Sequence, residues 1–128
     1  MADRILIIED DPDVLESVSS LLSGSGYTLL TSTNGRHGLE TAQKERPDLI
    51  LTDLMLPQMN GYEVCTMLKQ DIRYQRTPVI VWSATKLEDK DAQIATECGA
   101  DVFLLKTLDP KQLLQTIQGL IAKSRQSQ

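Results

Sequence analysis

A chain of 128 residues, 41% of them hydrophobic, suits one globular domain with one core and leaves little room for a second. Its net charge of −5 argues against a nucleic-acid-binding module, which presents a basic face to phosphates. The apolar run near the amino terminus covers only residues 5–8, far short of a signal peptide or of the roughly 20 residues of a membrane span, so a cytoplasmic protein is expected.

Apolar runs and amphipathic stretches alternate five times along the chain. Residues 5–8 (Ile-Leu-Ile-Ile) form a continuous apolar run, as in a strand covered on both faces. Over residues 12–23 Val14, Leu15, Val18, Leu21 and Leu22 draw a helical stripe that Gly24 and Gly26 end. Residues 27–31 read as a second strand, and 36–45 as a helix with a thin apolar face at Leu39 and Ala42. Pro47 breaks the chain before a third strand over 48–53. A turn-rich loop over 56–61 precedes a helix to about Gln70, with Val64 and Leu68 facing the core. Pro78 opens a fourth strand over 79–83. A weakly amphipathic helix is expected over 88–98, then a fifth strand over 102–105. The last helix is the clearest: Asp109 is placed to cap it, Pro110 is its first residue, and Leu113, Leu114, Ile117, Leu120 and Ile121 share one face. The domain is expected over residues 1–122, with 123–128 a polar tail or the start of a linker. Five strands alternating with five helices imply an α/β fold, a doubly wound sandwich in which helices cover both faces of a parallel sheet.

The polar residues at the strand ends carry the chemistry. Strand 1 runs into Glu9-Asp10-Asp11, strand 3 ends in Asp53, strand 4 in Ser83, and Lys106 follows strand 5. Parallel strands put these ends on one edge, where open α/β sheets bind their ligands. Carboxylates so close repel unless a cation sits among them, and one lysine cannot neutralise three or four acids. A hard divalent ion with oxygen ligands, such as Mg²⁺, can. Asp11 and Asp13 are as compatible with capping the next helix or facing solvent as with belonging to this acidic site. A carboxylate can also attack a phosphoryl group to form an aspartyl phosphate, and Asp53, ending a central strand, is the natural nucleophile. A cation held by Glu9 and Asp10, together with the Lys106 ammonium, would offset the phosphoryl charge, and the Ser83 hydroxyl could hydrogen-bond one oxygen. Cys65 and Cys98 lack the CxxC spacing of metal and redox sites and read as small, partly buried helical residues. His37, the single histidine, lies beside a glycine and reads as a surface residue, which leaves a Ser-His-Asp or Cys-His mechanism without support.

Taken in order, the acidic pair after strand 1, the segment from Asp53 to Gly61 (Asp-Leu-Met-Leu-Pro-Gln-Met-Asn-Gly), the pair Ser83-Ala84 and Lys106 resemble the CheY-like receiver domains of bacterial response regulators over nearly the whole chain. The resemblance implies a (βα)5 flavodoxin-like fold with strand order 2-1-3-4-5. It implies that Asp53 is the phosphoacceptor, that Glu9, Asp10, Asp53 and the main-chain carbonyl of Met55 ligate Mg²⁺ or Mn²⁺, and that Ser83 and Phe103 are switch residues. Ala84 and Thr85 would neighbour the phosphoryl pocket, and Met55 and Thr85, neither a carboxylate nor an amide, would give slow self-dephosphorylation. Phe103 is also readable as an ordinary core aromatic. A histidine kinase or phosphotransfer protein would supply the phosphoryl group, and the surface of the fourth helix, fifth strand and last helix would engage an output protein or domain. The domain itself would bind neither nucleic acid nor membrane, would be a monomer or a phosphorylation-dependent dimer, and would catalyse only its own phosphorylation and dephosphorylation. Thr107 departs from the family, which usually has proline after the lysine, often behind a cis bond. A cis bond before a non-proline residue costs ~3–4 kcal/mol.

Other readings are a receiver half of a longer transcriptional regulator, a phosphorylation-independent scaffold, an aspartyl-phosphate phosphatase, and a flavodoxin-like cofactor binder. Asp10, Asp53, Ser83 and Lys106 together oppose the scaffold. Met55 stands where the phosphatase would need a second acid, and an acidic site is wrong for a flavin phosphate. The length alone favours a stand-alone receiver.

Overall fold

The computed structural model describes residues 3–84, 97–107 and 109–126. Strands β1 (Arg4–Ile8), β2 (Thr28–Ser32), β3 (Leu49–Asp53), β4 (Val79–Ser83) and β5 (Val102–Leu105) alternate with helices α1 (Pro12–Gly24), α2 (Gly35–Glu45) and α3 (Gly61–Lys69), and the last helix is α4 (Pro110–Gln126). The helix expected over 88–98 falls outside the described residues except for its last two positions. All neighbouring strands are parallel, in the order β2-β1-β3-β4-β5, as the family resemblance implied.

The continuous apolar runs read from the sequence follow from this topology. β1 and β3 are central, so side chains on both faces are covered, and β3 is buried at every position. Alternation along each strand sorts the core into two layers. Leu6, Ile8, Ile50, Val79 and Val81 face Leu39, Ala42, Val64, Cys65 and Leu68 of α2 and α3. Ile5, Ile7, Leu49, Leu51, Ile80 and Trp82 face Val18 and Leu22 of α1 and Leu113, Ile117 and Ile121 of α4.

Side-chain caps set the helix starts. Asp11 accepts from the amides of Asp13 (2.9 Å) and Val14 (3.4 Å), so it caps α1. Asn34 accepts from the His37 amide at 2.8 Å and starts α2 one residue earlier than the sequence pattern suggests. Asn60 and Glu63 form a reciprocal capping box at the start of α3. Asp109 accepts from the Lys111 amide at 2.8 Å, in keeping with its expected capping role.

α4 runs on to Gln126, into the stretch expected to be a polar tail. The cause is tertiary: the Ser124 hydroxyl donates to the Arg76 carbonyl (3.0 Å), and Arg125 pairs with Asp3. A short 3₁₀ turn, Ile72–Tyr74, carries no apolar stripe and was not readable beforehand; the Tyr74 hydroxyl anchors it to the Gln43 carbonyl at 3.0 Å. No described helix is long and apolar enough to cross a membrane.

Two glycines make opposite demands. A Cβ on Gly61 would overlap the Asp53 carbonyl oxygen, whereas one on Gly119 would meet nothing within 4 Å. Gly61→Ala is therefore expected to destabilise the fold by ~1–3 kcal/mol, and Gly119→Ala, on an exposed part of α4, to stabilise it by about 0.5–1 kcal/mol. Urea unfolding of the two variants checks both signs.

Candidate functional site

The carboxyl ends of β1, β3, β4 and β5 converge at one edge of the sheet, and the polar residues read from the sequence follow them there. β1 leads to one side into β2, and β3 lies on its other side, so the edge between β1 and β3 is the switch point of the topology. Glu9 follows β1 and is fully buried, Asp10 is exposed, and Asp53 closes β3 and is buried. Each offers a carboxylate oxygen within 4.8 Å of the others.

Lys106 crosses this cluster. Its Nζ lies 2.6 Å from Glu9 Oε1 and 3.3 Å from Asp53 Oδ2. Burial pushes the Glu9 carboxyl above the usual glutamate range, while the Lys106 ammonium and the Asp11 amide pull the other way. Burial also opposes the charge on Lys106, but Glu9 and Asp53 outweigh it and hold the ammonium above the usual lysine range. The lysine is positioned through its backbone as well, because its amide donates to the Ser83 carbonyl at 2.8 Å.

Ser83 is buried at the end of β4, on the strand next to Asp53. Ala84 is exposed, Met55 is 71% exposed beside Asp53, and Thr85 lies outside the described residues. Phe103 pairs in register with Val81, two residues before the Ser83–Leu105 pair, so it shares the face of Ser83. It is half-buried, with its ring centre 6.4 Å from that of Tyr62. The Lys106–Thr107 peptide is trans, which resolves the question raised by the missing proline.

Trp82, which precedes Ser83 in sequence, also borders the site. It sits opposite Asp53 in the β3–β4 register, and Lys106 Nζ lies 5.5 Å from its ring centre, within cation–π range. The signal for this was the alternation along β4, which puts Trp82 on the face opposite Ser83. The loop after β3 is held as tightly. The Gly61 amide donates to the Leu54 carbonyl at 2.9 Å, and Gln58 turns the chain with φ of 70°. Of the acids left open, Asp11 is a helix cap and Asp13 is exposed in the first turn of α1. His37 is exposed, with its Nδ1 2.8 Å from the Ser32 hydroxyl.

A parallel five-stranded sheet in this order, with acids, a hydroxyl and a lysine at its carboxyl edge, defines a CheY-like α/β domain. The chain belongs to the response regulator receiver domain family, whose model matches residues 5–118. It is 34% identical over 124 residues to the DNA-binding response regulator MtrA of Mycolicibacterium smegmatis, a match covering 97% of this chain and 53% of that protein. The chain thus spans about half the length of the curated relatives it matches. Among solved structures it is similar to the receiver domain of a signal transduction histidine kinase from Syntrophus aciditrophicus (TM-score 0.89, 33% identity, 95% of this chain and 92% of that one). It is also similar to the receiver domain of a sensor histidine kinase from Pseudomonas aeruginosa, which has a magnesium ion coordinated in its active-site cleft (TM-score 0.87, 25% identity, 95% and 99% covered).

The charge arrangement has opposite consequences for two substitutions. Asp53→Asn removes one of the crowded charges and leaves Lys106 to Glu9, so stability in the presence of a chelator is expected to rise by on the order of 1 kcal/mol. Lys106→Met strands a buried carboxylate and is expected to cost about 3 kcal/mol. Urea denaturation in EDTA distinguishes the two.

Proposed function

We propose that this domain is a phosphoacceptor switch of a two-component phosphorelay, taking a phosphoryl group onto Asp53 with Mg²⁺ or Mn²⁺ alongside. The observation that carries the reading is the Lys106 ammonium set 2.6 Å from Glu9 and 3.3 Å from Asp53, beside three carboxylates whose oxygens lie within 4.8 Å of one another. The donor set is all oxygen and its charge exceeds what one lysine offsets, which fits a hard divalent cation. Glu9, Asp10, Asp53 and the Met55 carbonyl are the proposed ligands. A bound cation supplies charge neutralisation for the entering phosphoryl oxygens.

The chain's own groups do the rest. An Asp53 carboxylate oxygen attacks phosphorus, the bond from phosphorus to the donor nitrogen breaks, and that nitrogen takes up a proton. Lys106, already held between Glu9 and Asp53, offsets the added negative charge, and the Ser83 hydroxyl donates to a phosphoryl oxygen. Ala84 leaves room beside that oxygen. Phe103 follows Ser83 inward on the shared face and passes the change to the outer surface of β5. Neither Met55 nor Thr85 offers a carboxylate or amide to position a hydrolytic water, so the acyl phosphate decays slowly. The domain catalyses nothing beyond its own phosphorylation and dephosphorylation.

A histidine kinase or phosphotransfer protein is the proposed donor, in the cytoplasm, and an output protein or domain is the reader. Nucleic acid is not the domain's own ligand in this reading, given its net charge of −5. A second reading, the receiver half of a longer transcriptional regulator, is favoured by one observation. The relatives it matches include DNA-binding regulators about twice as long.

Incubation with phosphoramidate, with and without Mg²⁺, followed by intact-mass measurement, tests the proposal. One phosphoryl adduct is expected, dependent on Mg²⁺, released by hydroxylamine and absent in Asp53→Asn. An adduct that persists in the variant, or none in the native chain with Mg²⁺, refutes it.

A further inference from the structure

Cys65 and Cys98 stand 33 positions apart in sequence, yet the fold brings them into contact in the core layer under α3. Cys65 is fully buried in the middle of α3, and Cys98, 6% exposed, immediately precedes Gly99 on the approach to β5. The Cys65 thiol has one proton and two acceptors within reach. One is the Cys98 carbonyl oxygen at 3.4 Å, and the other is the Cys98 sulfur, with which it makes a side-chain hydrogen bond.

A cation stands beside the pair. Lys69, one turn along α3 from Cys65, lays its stem against Gly99, where an added Cβ would lie 3.1 Å from Lys69 Cγ. Its ammonium donates to the carbonyls of Gln75 (3.1 Å) and Thr77 (2.6 Å) and lies 3.4 Å from Asp101. These partners fix the charge in place near the thiols, with Asp101 partly offsetting it. The two sulfurs are unequal as a result. The hydrogen bond from Cys65, helped by backbone amides and Lys69 and opposed by burial, brings the Cys98 thiol down to about 7. The same hydrogen bond, together with burial, pushes the Cys65 thiol up. Structural buried cysteines are ordinarily inert, but they are ordinarily neither paired nor set beside a fixed ammonium.

We propose that Cys65 and Cys98 are a redox-responsive dithiol, which a peroxide closes into a disulfide joining α3 to the segment that enters β5. Burial restricts the oxidant to a small molecule. The Cys98 thiolate attacks one peroxide oxygen, the O–O bond breaks, and Cys98 becomes a sulfenic acid as the other oxygen leaves and is protonated to water. The Cys65 sulfur then attacks the Cys98 sulfur, the S–O bond breaks, and the departing hydroxide takes the Cys65 proton as water. Two thiols lose two hydrogens and one peroxide becomes two waters. A small dithiol reverses the change. The ring so closed covers residues 65–98, which includes all of β4 and Ser83. This inference is independent of the phosphoacceptor reading.

The test uses the whole chain, treated with hydrogen peroxide under native conditions, quenched, then alkylated in denaturant and weighed intact. The expected product has lost two hydrogens, accepts no alkyl group, runs as a monomer without reductant, and regains both thiols in dithiothreitol. In Cys65→Ser, where a hydroxyl can still donate to Cys98, a sulfenic acid trapped by dimedone is expected at Cys98. In Cys98→Ser the remaining thiol is expected to react about tenfold more slowly or worse. Two thiols still open to alkylation after methionines have oxidised overturn the proposal. So does a link formed only between chains or only in denaturant, or equal rates in the two variants.

Discussion

The site depends on an imbalance of charge that the fold does not relieve. Glu9 is fully buried, Asp53 nearly so, and Asp10 stands beside them, and among the described residues Lys106 is the cation set against them. Burying a carboxylate costs several kcal/mol unless it is paired, and one ammonium shared between two acids compensates incompletely. Burial accordingly pushes the Glu9 carboxyl up despite its short contact with Lys106. Sites whose groups are held away from their solution behaviour by burial and charge partners are candidates for function, since stability alone gives no reason to gather like charges. Four parallel strands deliver these residues to one edge, and the hydrophobic core beneath them carries the cost.

Lys106 is the point at which the two core layers meet the site. Ser83 and Phe103 share the face covered by α3, while Trp82, one residue before Ser83, belongs to the face covered by α1 and α4. The ammonium reaches Glu9 and Asp53 with its charge and lies over the Trp82 ring. Its backbone is tied to Ser83, so a shift of the hydroxyl residue and a shift of the lysine are mechanically coupled. In the proposed switch, added phosphoryl charge draws on both at once, which is the differential contact a two-state change requires.

Much of this was legible because parallel α/β folds write themselves plainly. Residues 5–8 and 49–51 are apolar on both faces, and such strands carry the polar residues that follow them to the carboxyl edge. Glu9, Asp53, Ser83 and Lys106 could therefore be grouped from order alone. What the sequence hid was tertiary. Asp11 before Pro12 carries the same cap signal as Asp109 before Pro110, but nothing local says whether an acid that follows β1 caps the helix or faces the edge. The continuation of α4 past residue 122 rests on Ser124 reaching Arg76 and Arg125 reaching Asp3, contacts that no helical periodicity records. Cys65 and Cys98 were read apart because spacing rules see only local pairs, and their contact is made by α3 packing against the turn into β5.

The placement of those two cysteines bears on how such a domain can be rigid and switchable at once. The carboxyl edge is polar and charge-strained, and its response depends on small shifts near Ser83. Well below it on the same face, Val64, Cys65, Leu68, Val79 and Cys98 are packed without exposure beyond a few per cent, and such a layer does not deform continuously. β4 crosses from that layer to the edge, so a displacement of Ser83 has rigid structure to act against. A covalent link between α3 and the approach to β5 would stiffen the layer rather than the edge. Because the link would leave every proposed ligand and the lysine untouched, its influence on the switch would run through packing and not through charge.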